Sequence, residues 1–257
     1  MENWVNFLSE HFNVYVAAFK GLTSEQVKNF QIKKAHSIRV AELALKLAGE
    51  LQLSVEKQKL VFACALFHDI GRFRQLIEFN TFNDAKSLDH ANFSVEILKE
   101  EGFLDGLGTD EKKLVFLAIQ NHNKFKIPEK LSEEEKFYCN LLRDADKLDI
   151  LKVLTDYYTR KKNPNHTLTW ELPKGNSVTP KVSKEILAGS LVSKENVVSE
   201  IDVKIMQMSW VYDLNFRISF VQLQEKRFLE TIYSTLPKND SVIGIYRKVK
   251  VFTENKI

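Results

Sequence analysis

The sequence has little glycine, little proline and only two cysteines. Its 257 residues include 9 glycines and 5 prolines, fewer than the averages of about 7% and 5% predict, which disfavours a turn-rich β-sandwich or barrel. Cys64 and Cys139 lie in apolar helical patterns, so we expect two buried free thiols and no disulfide framework. No apolar run approaches the roughly 20 residues that a membrane-spanning helix needs. These absences indicate a mostly helical protein with no membrane partner.

The remaining composition is that of a globular protein. Hydrophobic residues make up 44% of the chain, enough to bury a substantial core. The charge is nearly balanced, with 37 basic and 34 acidic side chains. The basic excess lies after residue 151 and is scattered, so we do not expect nucleic acid as a partner. With no signal-peptide pattern, a cytoplasmic location is the simplest expectation, and pairing into a homodimer is left open.

Apolar periodicity predicts several helices in the first half of the chain. Val40, Leu43 and Leu47 follow His36 at helical intervals, which places this histidine on an inward face. The segment 57–69 is apolar on nearly every side in its second half, as is typical of a central helix surrounded by others. A helix ending at Gly102 is also predicted.

The pattern continues differently in the second half. Ser132 and Glu135 predict a capping box at the start of a helix. Leu168, Trp170 and Leu172 alternate with polar residues, and we expect a short β-hairpin that closes around Gly175. One long helix is then predicted over 202–235.

These elements predict an all-α fold with one short β-hairpin. We expect a helical core over residues 1–158. The hairpin and the C-terminal helices, residues 159–257, should pack on this core, so that the whole chain forms one compact domain.

Histidine and aspartate positions carry the chemical information. Four histidines and two aspartates fall on inward faces or at ends of the predicted helices: His36, His68, His90, His122, Asp69 and Asp146. Burying several ionisable groups together costs several kcal/mol apiece unless something compensates, and a divalent metal ion is the usual compensation. Imidazole and carboxylate ligands suit iron, manganese, nickel, cobalt or zinc.

The order of these residues resembles that of the HD-domain phosphohydrolase superfamily. The matching motifs are His36, the His68-Asp69 pair in L-F-H-D-I-G-R, and Asp146 in R-D-A-D-K-L-D. The resemblance implies a helical bundle in which His36, His68, Asp69 and Asp146 bind one metal ion. The residues after about 150 are similar to the helical extensions of uncharacterised bacterial members.

His90 and His122 stand where binuclear members of the superfamily carry two further histidines. The resemblance therefore implies one or two ions, with Asp69 as the bridge if both bind. The motifs that distinguish named branches are missing: there is no G-Y-P motif of the cyclic-di-GMP phosphodiesterases, and A-D-K-L-D replaces the A-D-R-L-H-N of the guanosine tetraphosphate hydrolases. The substrate is therefore left open by the sequence.

The function that the resemblance implies is metal-dependent hydrolysis of phosphate esters. We expect a phosphomonoesterase or phosphodiesterase whose metal-activated hydroxide attacks phosphorus in a nucleotide or another small phosphate ester. Catalytic roles are predicted for Asp69, for Arg72, which would stabilise charge on the phosphoryl oxygens, and for Lys147. Asp89 and Asp149 adjoin ligand positions and are candidates to orient imidazoles.

Two other functions fit the same residues. Some HD-fold proteins with four histidines and two aspartates hold a di-iron centre and insert oxygen into C–H bonds. A non-catalytic HD sensor module is the third reading, although the intact ligand set disfavours it.

Overall fold

The computed structural model describes residues 1–159 and 172–257, and within these ranges the chain is helical with no β-strand. The first seven helices are α1 (Glu2–Ala18), α2 (Ser24–Glu50), α3 (Val55–Phe67), α4 (Gly71–Phe79), α5 (His90–Glu101), α6 (Thr109–Asn121) and α7 (Glu133–Thr159). The later ones are α8 (Pro180–Leu187), α9 (Glu200–Ser209), α10 (Arg217–Glu225), α11 (Phe228–Ser234) and α12 (Asp240–Glu254). Short 3-10 turns lie at Asp84–Lys86, Lys194–Asn196 and Trp210–Asp213. The all-α prediction is confirmed over these residues.

Most of the first strand of the predicted hairpin, with Leu168 and Trp170, falls on residues 160–171, which lie outside the described residues. The described part of the hairpin, residues 172–179, contains no strand, so the structure gives the hairpin no support. The predicted single helix over 202–235 is wrong, because α9, α10 and α11 occupy that range. Arg227 interrupts it with a left-handed φ of 54°, a backbone conformation that a continuous helix cannot contain.

The chain divides into two compact units, Met1–Asp146 and Lys147–Ile257. In the first unit, α3 is central: it packs against α1, α2 and α6. Every side chain from Leu60 to Phe67 is buried, as expected for a helix enclosed by neighbours. The helix α4 packs on α5 and α2, and α5 also packs on α6. This arrangement brings the ends of α3 and α6 and the start of α5 together.

The second unit is built around α8 and α9. The helix α8 packs against α9 and α12, and α11 contacts both α9 and α12. The domain division predicted after residue 158 stays a prediction. Cys64 and Cys139 are buried and free, as expected. In the part of the chain that is described, no helix has an apolar stretch long enough to cross a lipid bilayer.

Candidate metal centre

His68 and His122 occupy equivalent positions on two helices, directly after the last residue of α3 and of α6. The Nδ1 atom of His68 lies 2.7 Å from the carbonyl oxygen of Ala65, and Nδ1 of His122 lies 2.7 Å from that of Ile119. Because a carbonyl oxygen can only accept, each Nδ1 carries the proton and donates it. The Nε2 lone pair of both rings is therefore available for a ligand.

His90, the first residue of α5, is oriented by a carboxylate instead. Its Nδ1 lies 2.5 Å from Oδ2 of Asp84, in the 3-10 turn before the helix. The carboxylate holds the proton on Nδ1 and leaves Nε2 as the ligand atom. This Nε2 lies 3.1 Å from Nε2 of His122.

Asp69 lies between two pairs of imidazoles. Its Oδ2 is 3.8 Å from Nε2 of His36 and 3.7 Å from Nε2 of His68. Its Oδ1 is 3.4 Å from Nε2 of His90 and 3.8 Å from Nε2 of His122. Each oxygen of this one carboxylate thus faces a different histidine pair, which is the arrangement that a bridging ligand requires.

Asp146, on α7, completes the pair formed by His36 and His68. Its Oδ1 lies 3.1 Å from Nε2 of His36 and 3.6 Å from Nε2 of His68. This oxygen is buried, and no described residue gives it a hydrogen bond of good geometry. A buried, unsatisfied carboxylate oxygen is costly, and a cation beside it would remove that cost.

The separations between ligand atoms fit a metal ion. The Nε2 atoms are 3.3 Å apart in the His36–His68 pair and 3.1 Å apart in the His90–His122 pair, and two nitrogens that each bind one ion at about 2.1 Å are roughly 3.0–3.4 Å apart. With both Nδ1 atoms donating, His90 and His122 face each other with lone pairs, which repel unless a proton or cation lies between them. The residues present therefore fit a divalent transition metal.

Electrostatics keep both carboxylates ionised. Burial by itself raises the pKa of Asp69, but the nearby charges of Lys33 and Arg72 outweigh it and hold the pKa well below its usual range. Burial also raises the pKa of Asp146, but the adjacent imidazoles outweigh this effect and lower the pKa. Both side chains are anionic at neutral pH.

Burial has the opposite consequence for the histidines. Removal from water lowers the pKa of His68, and it lowers the pKa of His122 to about 3. A metal ion binds the neutral imidazole, so these rings need not lose a proton before they bind a metal at neutral pH.

Two cations lie against Asp69, and only one of them was predicted from the sequence. Lys33 on α2 places Nζ 2.7 Å from Oδ2 of Asp69, and Arg72 on α4 places Nε 3.5 Å from Oδ1. The Nη1 atom of Arg72 also contacts Oδ1 of Asp84 at 2.7 Å and the carbonyl oxygen of Phe82 at 2.6 Å. These contacts fix the guanidinium beside the centre.

Other predicted residues make contacts elsewhere. Asp89 accepts hydrogen bonds from backbone amides in the first turn of α5 and forms an ion pair with Lys124, so Asp84 and not Asp89 orients the His90 ring. In the second unit, Lys147 forms an ion pair with Asp213, with Nζ 2.5 Å from Oδ2. The catalytic role of Lys147 and the orienting role of Asp149 stay predictions.

Ser94 and Gly71 join the two histidine-bearing segments beneath the centre. The Oγ atom of Ser94, on α5, lies 2.9 Å from the carbonyl oxygens of both His68 and His90, and it accepts a hydrogen bond from the backbone N–H of Gly71 at 2.9 Å. A Cβ atom at position 71 would lie 2.7 Å from the carbonyl oxygen of His90. Glycine therefore permits the close approach of α4 to α5 that this hydrogen-bond network needs.

Arg143 holds the turn that follows α6. It is 1% exposed, and its Nη1 donates to the carbonyl oxygens of Asn121 at 2.8 Å and Lys124 at 2.6 Å, with that of His122 at 3.2 Å. Its helix, α7, also carries Asp146. A buried guanidinium thus fixes the backbone around one candidate ligand.

Residues 34–151 match the family model of the HD domain. This range contains all six candidate ligands, so the segment that carries the candidate centre is similar to HD domains. The chain is 29% identical to ribonuclease Y of Mycoplasmoides gallisepticum over 136 aligned residues. The alignment covers 51% of this chain and 21% of that protein. The chain therefore spans about a fifth of the length of this curated relative. No solved structure gives a significant match.

Proposed function

We propose that this protein is a metal-dependent phosphohydrolase that acts on small phosphate esters. The observation that carries the proposal is the position of Asp69, whose two oxygens face two separate histidine pairs within the segment that is similar to HD domains. HD domains are generally metal-dependent hydrolases. His36, His68, Asp69 and Asp146 would hold one ion, and His90 and His122, with Asp69, a second.

The charge of the centre favours an anionic substrate. The charged side chains around it are three carboxylates, of Asp69, Asp84 and Asp146, and two cations, Lys33 and Arg72. When the histidines are neutral, these groups leave one net negative charge. One bound divalent ion reverses the sign, and a second makes the centre strongly positive. A phosphate ester would neutralise this excess charge.

The protein's own groups have separable roles in this proposal. When bound, a divalent ion supplies a coordinated water of lowered pKa and polarises phosphoryl oxygens. Arg72 is held by Asp84 and by the Phe82 carbonyl, so its guanidinium is already positioned to stabilise charge that develops on the phosphoryl group. Lys33 adds a second cation beside the same carboxylate.

The test combines metal content with phosphate release. Protein purified without added metal should contain one or two transition-metal ions per chain, and His68→Ala and Asp69→Ala should lose them while circular dichroism shows unchanged helix content. His11→Ala removes a histidine outside the cluster and serves as the matched control. With manganese or cobalt under nitrogen, the wild-type protein should release phosphate from a panel of phosphate esters.

Two results would contradict the proposal. Full metal content in both ligand variants would show that the site is elsewhere. About two irons per chain, with turnover that consumes oxygen and releases no phosphate, would instead support the oxygenase chemistry that the same ligand set allows.

A further inference from the structure

Phe82 lies beside the candidate metal centre on the segment that connects α4 to α5. Its ring centroid is 5.7 Å from Nζ of Lys33 and 5.9 Å from Cζ of Arg72. Both of these cations also lie against the carboxylate of Asp69. Lys33 and Arg72 therefore each link the Phe82 ring to Asp69, the central candidate ligand.

The position of Phe82 is fixed, yet its ring is not enclosed. The 2.6 Å contact from Arg72 to its carbonyl oxygen holds the backbone, and the following Asn83 caps the 3-10 turn that carries Asp84. The Phe82 side chain remains partly exposed. Both cations are near the outer limit of about 6 Å for cation–π contact, so neither covers the ring closely.

We propose that Phe82 is a specificity-determining residue that stacks on a planar ring of the substrate, so that the preferred phosphate esters are nucleotides. This inference rests on the proposed function. The cations next to the ring would bind the phosphate, and the phenyl face would bind a base attached to it through the sugar. A phosphate ester without an aromatic group gains nothing from Phe82.

Ribose 5-phosphate provides the matched probe, because it keeps the sugar and phosphate of a nucleotide but lacks the base. Base stacking on an aromatic side chain is worth about 1–3 kcal/mol, which corresponds to roughly 5- to 150-fold in kcat/KM. Phe82→Ala should lose that factor on the best of the four ribonucleoside 5′-monophosphates and should change kcat/KM for ribose 5-phosphate less than twofold. Phe82→Tyr keeps the ring and should retain the nucleotide preference.

A binding measurement separates this proposal from the activity itself. Calorimetric titration of the manganese-loaded protein with the same nucleotides and with ribose 5-phosphate does not require turnover. If no phosphate is released from any ester, the proposed hydrolysis fails, and the loss of nucleotide affinity in Phe82→Ala still decides the role of the ring. An equal loss for nucleotide and ribose 5-phosphate, or no loss for either, overturns the specificity role.

Discussion

Asp84 illustrates how a side chain outside the candidate ligand set controls one within it. Its Oδ2 contacts Nδ1 of His90, and its Oδ1 contacts Arg72 and Nε2 of Gln75. The pKa of this carboxyl is lowered, because the hydrogen bond from His90 and the charge of Arg72 outweigh the effect of partial burial. One carboxylate therefore sets both the tautomer of a candidate ligand and the position of a predicted catalytic cation.

Asp84→Asn should weaken metal binding. An amide cannot hold the His90 proton as a carboxylate does, and loss of such an orienting partner typically costs 10- to 100-fold in metal affinity. Competition with a fluorescent chelator measures the change. Asp105→Asn removes an exposed carboxylate that pairs with Lys112 and should leave the affinity within twofold. Equal affinities for the Asp84 variant and the wild type would contradict the orienting role.

At the scale of elements, the contact between α4 and α5 depends on the absence of a side chain at one position. At Gly71 a Cβ atom would lie 2.7 Å from the carbonyl oxygen of His90 and 2.8 Å from the backbone N of Ser94. Backbone atoms inside two packed helices cannot yield as the end of a flexible side chain can. A methyl group there must separate the two helices that carry Arg72 and His90.

Gly71→Ala should therefore lower both stability and metal affinity. Overpacking of a dense interior typically costs about 1–3 kcal/mol, which urea denaturation of the metal-free protein would show as a lower midpoint. Gly49→Ala is the control, because nothing lies within 4 Å of the added Cβ there and alanine in a helix is favoured over glycine by about 0.5–1 kcal/mol. A Gly71→Ala variant as stable as the wild type would show that α4 and α5 can separate at no cost.

At the scale of the molecule, burial of the histidines makes stability depend on pH. His68 and His122 have lowered pKa values in the folded chain, His122 at about 3, against about 6.5 when unfolded. Below pH 6.5 the unfolded state binds protons that the folded state does not. The stability that these residues contribute is thus fully present above pH 6.5 and is lost as the pH falls below it, for His122 down to about 3.

The metal-free protein should accordingly be less stable at pH 5 than at pH 7. Each such histidine contributes a slope of about 1.4 kcal/mol per pH unit below 6.5, and urea denaturation in the presence of a chelator measures the sum. His122→Asn removes one of the two groups and should reduce the difference between the two pH values. A denaturation midpoint that is independent of pH over this range would refute the assignment of neutral, buried histidines.

Local sequence patterns predicted the helices that carry the candidate metal centre. They did not predict the side-chain contacts between residues that are distant in sequence. The capping box forms as expected, with the backbone N of Ser132 2.8 Å from Oε2 of Glu135, and Gly102 ends α5 in a left-handed conformation. These features depend on neighbours in sequence. Lys33 and Asp69, in contrast, are 36 residues apart, and no local spacing distinguishes this lysine from the adjacent Lys34.

The predictions for Asp89 and for the helix over 202–235 failed because they also relied on local sequence patterns. Asp89 adjoins His90 and was the candidate to orient it, but a residue directly before a helix is better placed to cap that helix. Asp84 reaches the imidazole because the 3-10 turn folds back, which the sequence did not predict. The apolar pattern over 202–235 continues across the ends of α9, α10 and α11, since burial alone does not reveal where a helix breaks.

The hydrogen bonds from His68 and His122 to the carbonyls of their own helices have a kinetic consequence. The rings are locked by contacts within the protein, so a metal ion meets ligands whose rotational entropy has already been lost. Uptake then requires little rearrangement of the ends of α3 and α6. Its rate should be set by how quickly the aqueous ion sheds water and by how readily the Lys33 ammonium moves off Asp69.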